Sequence, residues 1–562
     1  MVIARTSADT EHIDENATKR VVEKLLIKNF RKFREFEMSF ESGLNVIVGA
    51  NDQGKSTIME AVNLALTGRW QGRLFSGELN PHFINAEATQ EYLAFLKKSP
   101  GEFISPPEVL IELYLSESNE TNYLSGNNNS EERWCPGFRV RAALDDDLRN
   151  EYIEHIKHPS GLTRVPTEFY KVDWNSFNSK PVNPRAVPIR SAIIDSSRIR
   201  LQSGTDYYLK QIVEETLTLS QRSQLSAAYR RAQEQFSTEA SIETINETLD
   251  MRKGSITRKS FTLDVDVSKN NTWGSALTPH LDKVPFTMLG SGEQSKLKIM
   301  LALARRADDV RVVLIEEPEN HLAFGELNKL VHHIRQNSEE HQLIIATHSS
   351  YVLNKLGLSN LLLLGNTTAY SLESLSKETS KYFSKLSGYD TLRLVLAKRV
   401  ALVEGPSDEL VIQKAYKDAH GRMPIDDGVD VINVRGLSAP RFLELAEPLE
   451  RECVVITDND GDYESAKERY EEFLDQSFVT ICIGENNALK TLEPQLVDAN
   501  GYEKLNRMLG KDFGTDEEVQ DWMENSKNKT EAALRLLESS EKLLLPPYLQ
   551  KAVDALGKGN NR

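Results

Sequence analysis

The chain has 562 residues, with 68 Lys+Arg against 84 Asp+Glu and a formal net charge of −16. At roughly 100–200 residues per domain it holds several folding units, and its acidic excess excludes a protein held on nucleic acid by bulk positive charge. Three scattered cysteines, Cys135, Cys453 and Cys482, exclude a disulfide framework or a cysteine zinc site. No apolar run reaches the ~18–20 residues of a membrane span, and the N-terminus lacks a secretory pattern, so a cytoplasmic location is expected.

Residues 1–20 read as a polar tail. The alternation in Leu25–Phe40 predicts two short strands joined by a turn, followed by a buried strand at Leu44–Val48 and a helix over Ser56–Leu66. Between that strand and helix lies Gly49-Ala-Asn-Asp-Gln-Gly54-Lys55-Ser56-Thr57, a G-x-x-x-x-G-K-[ST] phosphate loop. Its glycines let backbone N–H groups curl around phosphate oxygens, and the helix N-terminus adds a favourable dipole. Lys55 is expected to reach the β- and γ-phosphates and Ser56 to ligate Mg²⁺. Asn51, Gly54 and Thr57 complete the expected ATP-binding loop.

Residues 76–108 and 117–135 read as surface insertions. From about Asp206 to Leu249 the pattern is helical and charged, with apolar positions such as Ile212, Leu217, Leu219 and Leu225. Either an extended arm or a helix pair lying on the core fits this pattern. Strands are predicted at Val310–Ile315 and Gln342–Thr347. The first ends in Glu316-Glu317-Pro-Glu319, where one carboxylate can hold the Mg²⁺ shell and the next can polarise water.

Between the loop and these acids lies Leu289-Gly-Ser291-Gly292-Glu293-Gln294-Ser295, which resembles the signature loop of ABC-type ATPases. Glu316 and Glu317 then resemble the Walker B acids, and Thr347-His348-Ser349 the switch histidine. The 236 residues from Lys55 to Ser291, and the phrase Ile27-Lys-Asn-Phe30-Arg31-Lys-Phe33, resemble the recombination and chromosome subgroup of these ATPases. The resemblance implies ATP contacts from Ser291, Gly292 and Glu293, catalytic roles for Glu317 and His348, and a homodimer or larger assembly. Glu316 departs from the usual Asp. Ala323-Phe324 stands where a second His and a Pro often follow, and no glutamine loop is assigned.

After Leu396, strands at 400–403, 429–434, 453–457 and 478–483 alternate with helical patterns, predicting a second parallel-sheet unit. Two of them deliver acids at their carboxyl ends, where sites form in such sheets. These are Glu404-Gly405-Pro-Ser-Asp408 and Asp458-Asn-Asp460-Gly-Asp462. Clustered hard oxygens suit Mg²⁺ or Mn²⁺. A calcium loop is disfavoured, because a strand precedes Asp458 and Arg469 occupies the twelfth position.

The Glu-Gly and D-x-D pair resembles a Toprim domain. An ABC-type ATPase followed by a Toprim domain resembles the OLD (overcoming lysogenisation defect) family of nucleases. That resemblance implies Glu404, Asp408, Asp458 and Asp460 as metal ligands, with Asp462 and Glu493 in a second site or outer shell. It also implies Lys529 as a late lysine assisting phosphodiester chemistry, with Lys490 and Lys527 as neighbouring candidates.

The expected fold class is therefore α/β: an ABC-type P-loop ATPase head with a helical insertion, followed by a Toprim domain with a parallel sheet. The expected division is a flexible tail at 1–20, an N-terminal ATPase lobe at 21–205, a helical insertion and possible dimerisation element at 206–250, a C-terminal lobe at 251–395 and the nuclease unit at 396–562. The resemblance implies ATP and Mg²⁺ (or Mn²⁺) as cofactors, DNA as substrate, and an anti-phage role alone or beside a helicase or retron partner. The alternative is an ATP-driven repair or recombination clamp with a structural Toprim domain. Residues 398–562 hold 21 basic and 33 acidic side chains, so most of the net negative charge lies there. Arg198/Arg200, Arg230/Arg231 and Arg252/Lys253 are candidate DNA-gripping clusters in the ATPase half.

Overall fold

The computed structural model describes residues 21–558, apart from residues 51, 100–101, 158–160, 185–186, 188, 196–200, 203–204, 207–216, 253–258, 267–272, 305–310, 358–359, 366, 373–374, 386–387 and 437. Asn51, Arg198, Arg200, Ile212 and Lys253 thus lie outside the described residues.

An antiparallel sheet opens the chain: β1 (Val22–Phe30), β2 (Phe33–Ser39), then β3 (Leu44–Val48), which leaves it for a second sheet. Helix α1 (Lys55–Thr67) follows the phosphate loop, and α2 (Ala86–Lys98) is capped by Asn85, whose side chain accepts from Glu87 N and Ala88 N. β4 (Val109–Leu115), β5 (Cys135–Leu144) and β6 (Tyr170–Ser176) complete the first sheet, in the order β2-β1-β4-β5-β6. The expected surface insertion at 76–108 is corrected: α2 buries Tyr92, Leu93 and Leu96 against the first core, an i, i+1, i+4 stripe that anchors it.

β7 (Ser191–Asp195) leads to helices α3 (Leu219–Ser237) and α4 (Ala240–Arg252), neither of which buries a residue. They form an arm: Asn246 bonds the backbone of Leu263, and Ser237 bonds Asp264. The reading of a helix pair lying on the core is thereby corrected. Next come α5 (Ser291–Leu303), β8 (Val312–Glu316), α6 (Phe324–Asn337), β9 (Gln342–Ala346), α7 (Ser350–Leu356), β10 (Leu361–Leu364) and β11 (Ala369–Ser371). The second sheet runs β7-β8-β9-β3-β10-β11 and is parallel except for β11.

The third sheet has the order β13-β12-β14-β15, all parallel. Its strands are β12 (Arg399–Val403), β13 (Val429–Asn433), β14 (Glu452–Thr457) and β15 (Val479–Ile483). Helix α8 (Pro406–His420) follows β12, α9 (Ala439–Ala446) follows β13 and α10 (Tyr463–Glu468) follows β14. The chain ends with α11 (Leu492–Leu509), α12 (Asp516–Glu524), α13 (Lys529–Glu538) and α14 (Pro547–Gly557).

The period of two explains the layering. Ile47, Val312, Leu314, Ile344 and Ala346 face α1 and the antiparallel sheet, while Val46, Val48, Val313, Ile315 and Ile345 face the opposite core. That opposite core is continuous with Val400, Leu402, Cys453 and Val455 of the third sheet. The other face of the third sheet, Ala401, Val403, Val454 and Ile456, packs on the C-terminal helices. All three cysteines are buried and free. Among the described residues no helix is long and apolar enough to cross a membrane.

Candidate functional site

The nucleotide site is assembled at the carboxyl ends of β3, β8 and β9, which lie side by side. Gly54 begins α1 at φ +97°, and a Cβ there would lie 2.5 Å from the Phe33 ring, so both conformation and space demand glycine. Lys55 is buried and donates to Gly49 O at 2.8 Å and Ala50 O at 3.0 Å. Burial pulls its ammonium down to about 8, against the opposing pull of Glu317 and Glu316. The Ser56 hydroxyl donates to Glu316, so the residues expected around Mg²⁺ meet directly. Thr57 is buried on the adjoining turn.

Glu317 sits at φ +48°, a costly conformation for a residue with a side chain, held by its N–H on Ala346 O at 2.8 Å. Its carboxylate takes a hydrogen bond from Asn320 Nδ2 and lies 3.7 Å from His348 Nε2. Burial, then the Lys55 charge, lower the His348 pKa, which favours the neutral imidazole. Glu319, whose role the sequence did not reveal, accepts from Thr347 Oγ1 at 2.7 Å and His348 N at 3.0 Å. Burial raises its pKa. The loop after β8 is thereby tied to the loop after β9.

Ser291, Gly292 and Glu293 open α5, whose start lies against the loop after β8. They line a cleft of about 380 Å³ with Lys296, His321 and Glu326. Gly292 is needed there: a Cβ would meet His321 O at 2.1 Å. Of the candidate DNA-gripping residues, Arg230 pairs with Glu234 at 3.2 Å on the exposed face of α3.

The second site lies at the carboxyl ends of β12 and β14. Glu404 accepts from the Thr457 hydroxyl and from Asp458 N at 3.3 Å. Asp408, in the first turn of α8, accepts from Gly405 N at 2.8 Å, the reciprocal bond of a helix N-cap. Asp458 accepts from Leu492 N at 3.2 Å, the first residue of α11. Glu493, next in that helix, is buried and pairs with Lys529 at 3.1 Å.

Glu404 and Glu493 raise the proton affinity of Asp408 and Asp458, which also act on one another. Burial, then Glu493 and Glu404, push Asp408 up to about 7. Burial, then Asp408, Glu404 and Glu493, push Asp458 well up. Asp460, at φ +51°, and Asp462 follow on an exposed turn, where Asp462 caps α10 by accepting from Ser465 N. Lys490 and Lys527 are exposed, so Lys529 is the lysine that meets an acid of the group.

Four mutually repelling carboxylates against one lysine form a donor set that suits a hard divalent cation. Among the described residues no three acidic, His or Cys side chains already stand in a coordinating arrangement.

Two family models match the chain. An AAA domain covers residues 24–261, and an overcoming lysogenization defect protein-like TOPRIM domain covers residues 395–460. The chain joins an AAA-type ATPase domain to an OLD-like TOPRIM domain. The TOPRIM match takes in Glu404, Asp408, Asp458 and Asp460, whereas Glu493 and Lys529 lie beyond it.

The chain is 27% identical over 180 residues to a DNA double-strand break repair Rad50 ATPase of Archaeoglobus fulgidus, covering 28% of this chain and 18% of that one. It is 44% identical over 48 residues to the DNA replication and repair protein RecF of Acetivibrio thermocellus, covering 8% and 13%. It is 21% identical over 357 residues to an ATP/GTP phosphatase of Helicobacter pylori, covering 58% and 85%. The chain thus spans less than a fifth of the length of the first two relatives.

Among solved structures, an SMC head bound to the C-winged helix domain of ScpA matches at 16% identity and TM-score 0.33, covering 63% of this chain and 99% of that one. The C-terminal region of the Burkholderia pseudomallei OLD protein matches at 20% identity and TM-score 0.23, covering 29% and 97%.

Proposed function

We propose that the chain is an ATP-hydrolysing, divalent-metal-dependent DNA endonuclease of OLD type, acting as an anti-phage effector. We read residues 21–395 as the ATPase head, with the arm at 206–250 as its dimerisation element, and residues 396–562 as the nuclease unit. The observation that carries this reading is the gathering of Glu404, Asp408, Asp458 and Glu493 beside Lys529.

In the ATPase head, Lys55 exchanges its two carbonyl partners for phosphate oxygens, which restores the charge that burial disfavours. Glu317 orients the attacking water. Neutral His348 donates or accepts a proton opposite it, kept in place by the grip of Glu319 on its backbone. The signature residues Ser291, Gly292 and Glu293 complete the site of a second copy.

In the nuclease unit, Mg²⁺ or Mn²⁺ supplies an activated water and shields the leaving oxygen when bound. Glu404, Asp408, Asp458 and Asp460 would hold it, with Asp462 and Glu493 in a second site or outer shell. Thr457 fixes the Glu404 carboxylate, and the first turn of α11 fixes Asp458. Lys529, released from Glu493, neutralises charge on the phosphate.

The two sites separate by mutation. Lys55→Ala should abolish phosphate release from ATP, and Glu404→Ala should abolish plasmid nicking while leaving ATP hydrolysis. Nicking by Glu404→Ala at the wild-type rate sinks the nuclease assignment.

A further inference from the structure

Between Asp458 and Asp460 stands an uncharged residue, Asn459. In this turn after β14, Asp460 and Asp462 are exposed, while Asn459 is only 2% exposed. A buried amide must find partners for its N–H groups and its oxygen. Asn459 finds them all. Its Nδ2 donates to Gly484 O at 2.7 Å and to Asn486 O at 3.0 Å, and its Oδ1 accepts from Gly461 N at 2.8 Å.

These bonds join two segments that carry acids. Residues 484–491 follow β15 and run into α11, the helix that holds Glu493. Three further ties link the same segments around the amide. Asp460 N donates to Lys490 O at 3.1 Å, Tyr463 N to Asn487 Oδ1 at 2.9 Å, and Leu492 N to Asp458 Oδ2 at 3.2 Å.

The turn has a conformation that needs holding. Asp460 sits at φ +51°, a region disfavoured for a residue with a side chain. Asp462 N closes the turn on Asn459 O at 2.8 Å. The partners also select an amide. A carboxylate at position 459 would face two carbonyl oxygens with no proton to give, and an apolar side chain would leave Gly484 O and Gly461 N without their bonds.

We propose that Asn459 is a positioning residue of this site. Its amide locks the turn that bears Asp458 and Asp460 onto the segment leading to Glu493, and so sets how these carboxylates stand toward a bound divalent cation. The proposal rests on the metal reading given above. Partners that orient metal ligands from outside are worth about 10–100-fold in metal affinity.

The test is Mn²⁺ binding to the nucleotide-free full-length protein, followed by the loss of the free-ion paramagnetic resonance signal. Wild type, Asn459→Ala, Asn459→Asp and Asp458→Asn are compared, at a temperature well below the unfolding midpoints measured in chelator. The expected result is ~10-fold or more weaker binding for Asn459→Ala. Asn459→Asp should also bind more weakly, although its added negative charge would by itself favour a cation. Wild-type affinity in Asn459→Ala, even with a lowered unfolding midpoint, makes the amide a fold element only and overturns the proposal. Affinity at or above the wild-type value in Asn459→Asp overturns it too. Wild-type affinity in Asp458→Asn overturns the metal reading and this inference with it.

Discussion

At the residue scale, the two sites differ in the sign of the buried charge. The phosphate loop buries a lysine, and the TOPRIM domain draws carboxylates out of water. Removing Lys55 by Lys55→Ala, or the charge of Glu317 by Glu317→Gln, should each lower ATP turnover at least about 100-fold, measured as phosphate release. The carboxylates carry a pH dependence of defined sign. Asp408 titrates at about 7 in the folded chain against 3.8 for a free side chain, so between those values the folded state holds the extra proton. Its contribution to stability is full below about 4 and is lost as pH rises through about 7. In chelator, the unfolding midpoint should fall between pH 5 and pH 7.5, and Asp408→Asn should flatten that fall. Equal slopes in the two proteins would refute the burial of this acid.

Elements decide how these residues meet. Gln342, the first residue of β9, is fully buried and accepts from Val22 N at 2.8 Å while donating to Val22 O and Glu41 O, each at 2.8 Å. One side chain thus pins the first strand of the antiparallel sheet to the parallel sheet. Gln342→Leu leaves those backbone groups unpaired and should cost on the order of 1–3 kcal/mol, read as a lower denaturant midpoint and faster amide exchange at Val22.

The strands themselves were legible, because a buried parallel strand is a nearly continuous apolar run: Val312–Ile315 is one, and Leu44–Val48 is broken only by Asn45. The phosphate loop and the acids at strand ends were legible for the same reason: local geometry demands those residues at that spacing. The partners that orient them were not. Glu319 reaches His348 across two loops, and Thr457 reaches Glu404 across two strands; both contacts depend on strand order, which no local pattern encodes. Helix α2 was misread because its three anchoring residues sit among polar neighbours.

For the whole molecule, one continuous apolar core joins the parallel sheet of the ATPase half to one face of the TOPRIM sheet. Phe383, Leu392, Leu394 and Val395 bridge the two. β12 and β14, the strands whose ends carry Glu404 and Asp458, thus share one packed core with β3 and β8 of the nucleotide site. Of the 33 acidic side chains in residues 398–562, four converge at one site, where a bound divalent ion would offset their charge locally. The central claim is that this carboxylate group cuts DNA. It is tested most directly by incubating supercoiled plasmid with Mg²⁺ or Mn²⁺ and either wild type or the double variant Asp458→Ala, Asp460→Ala. The account predicts nicked or linear product with wild type and none with the variant; product from both at equal rates would contradict it.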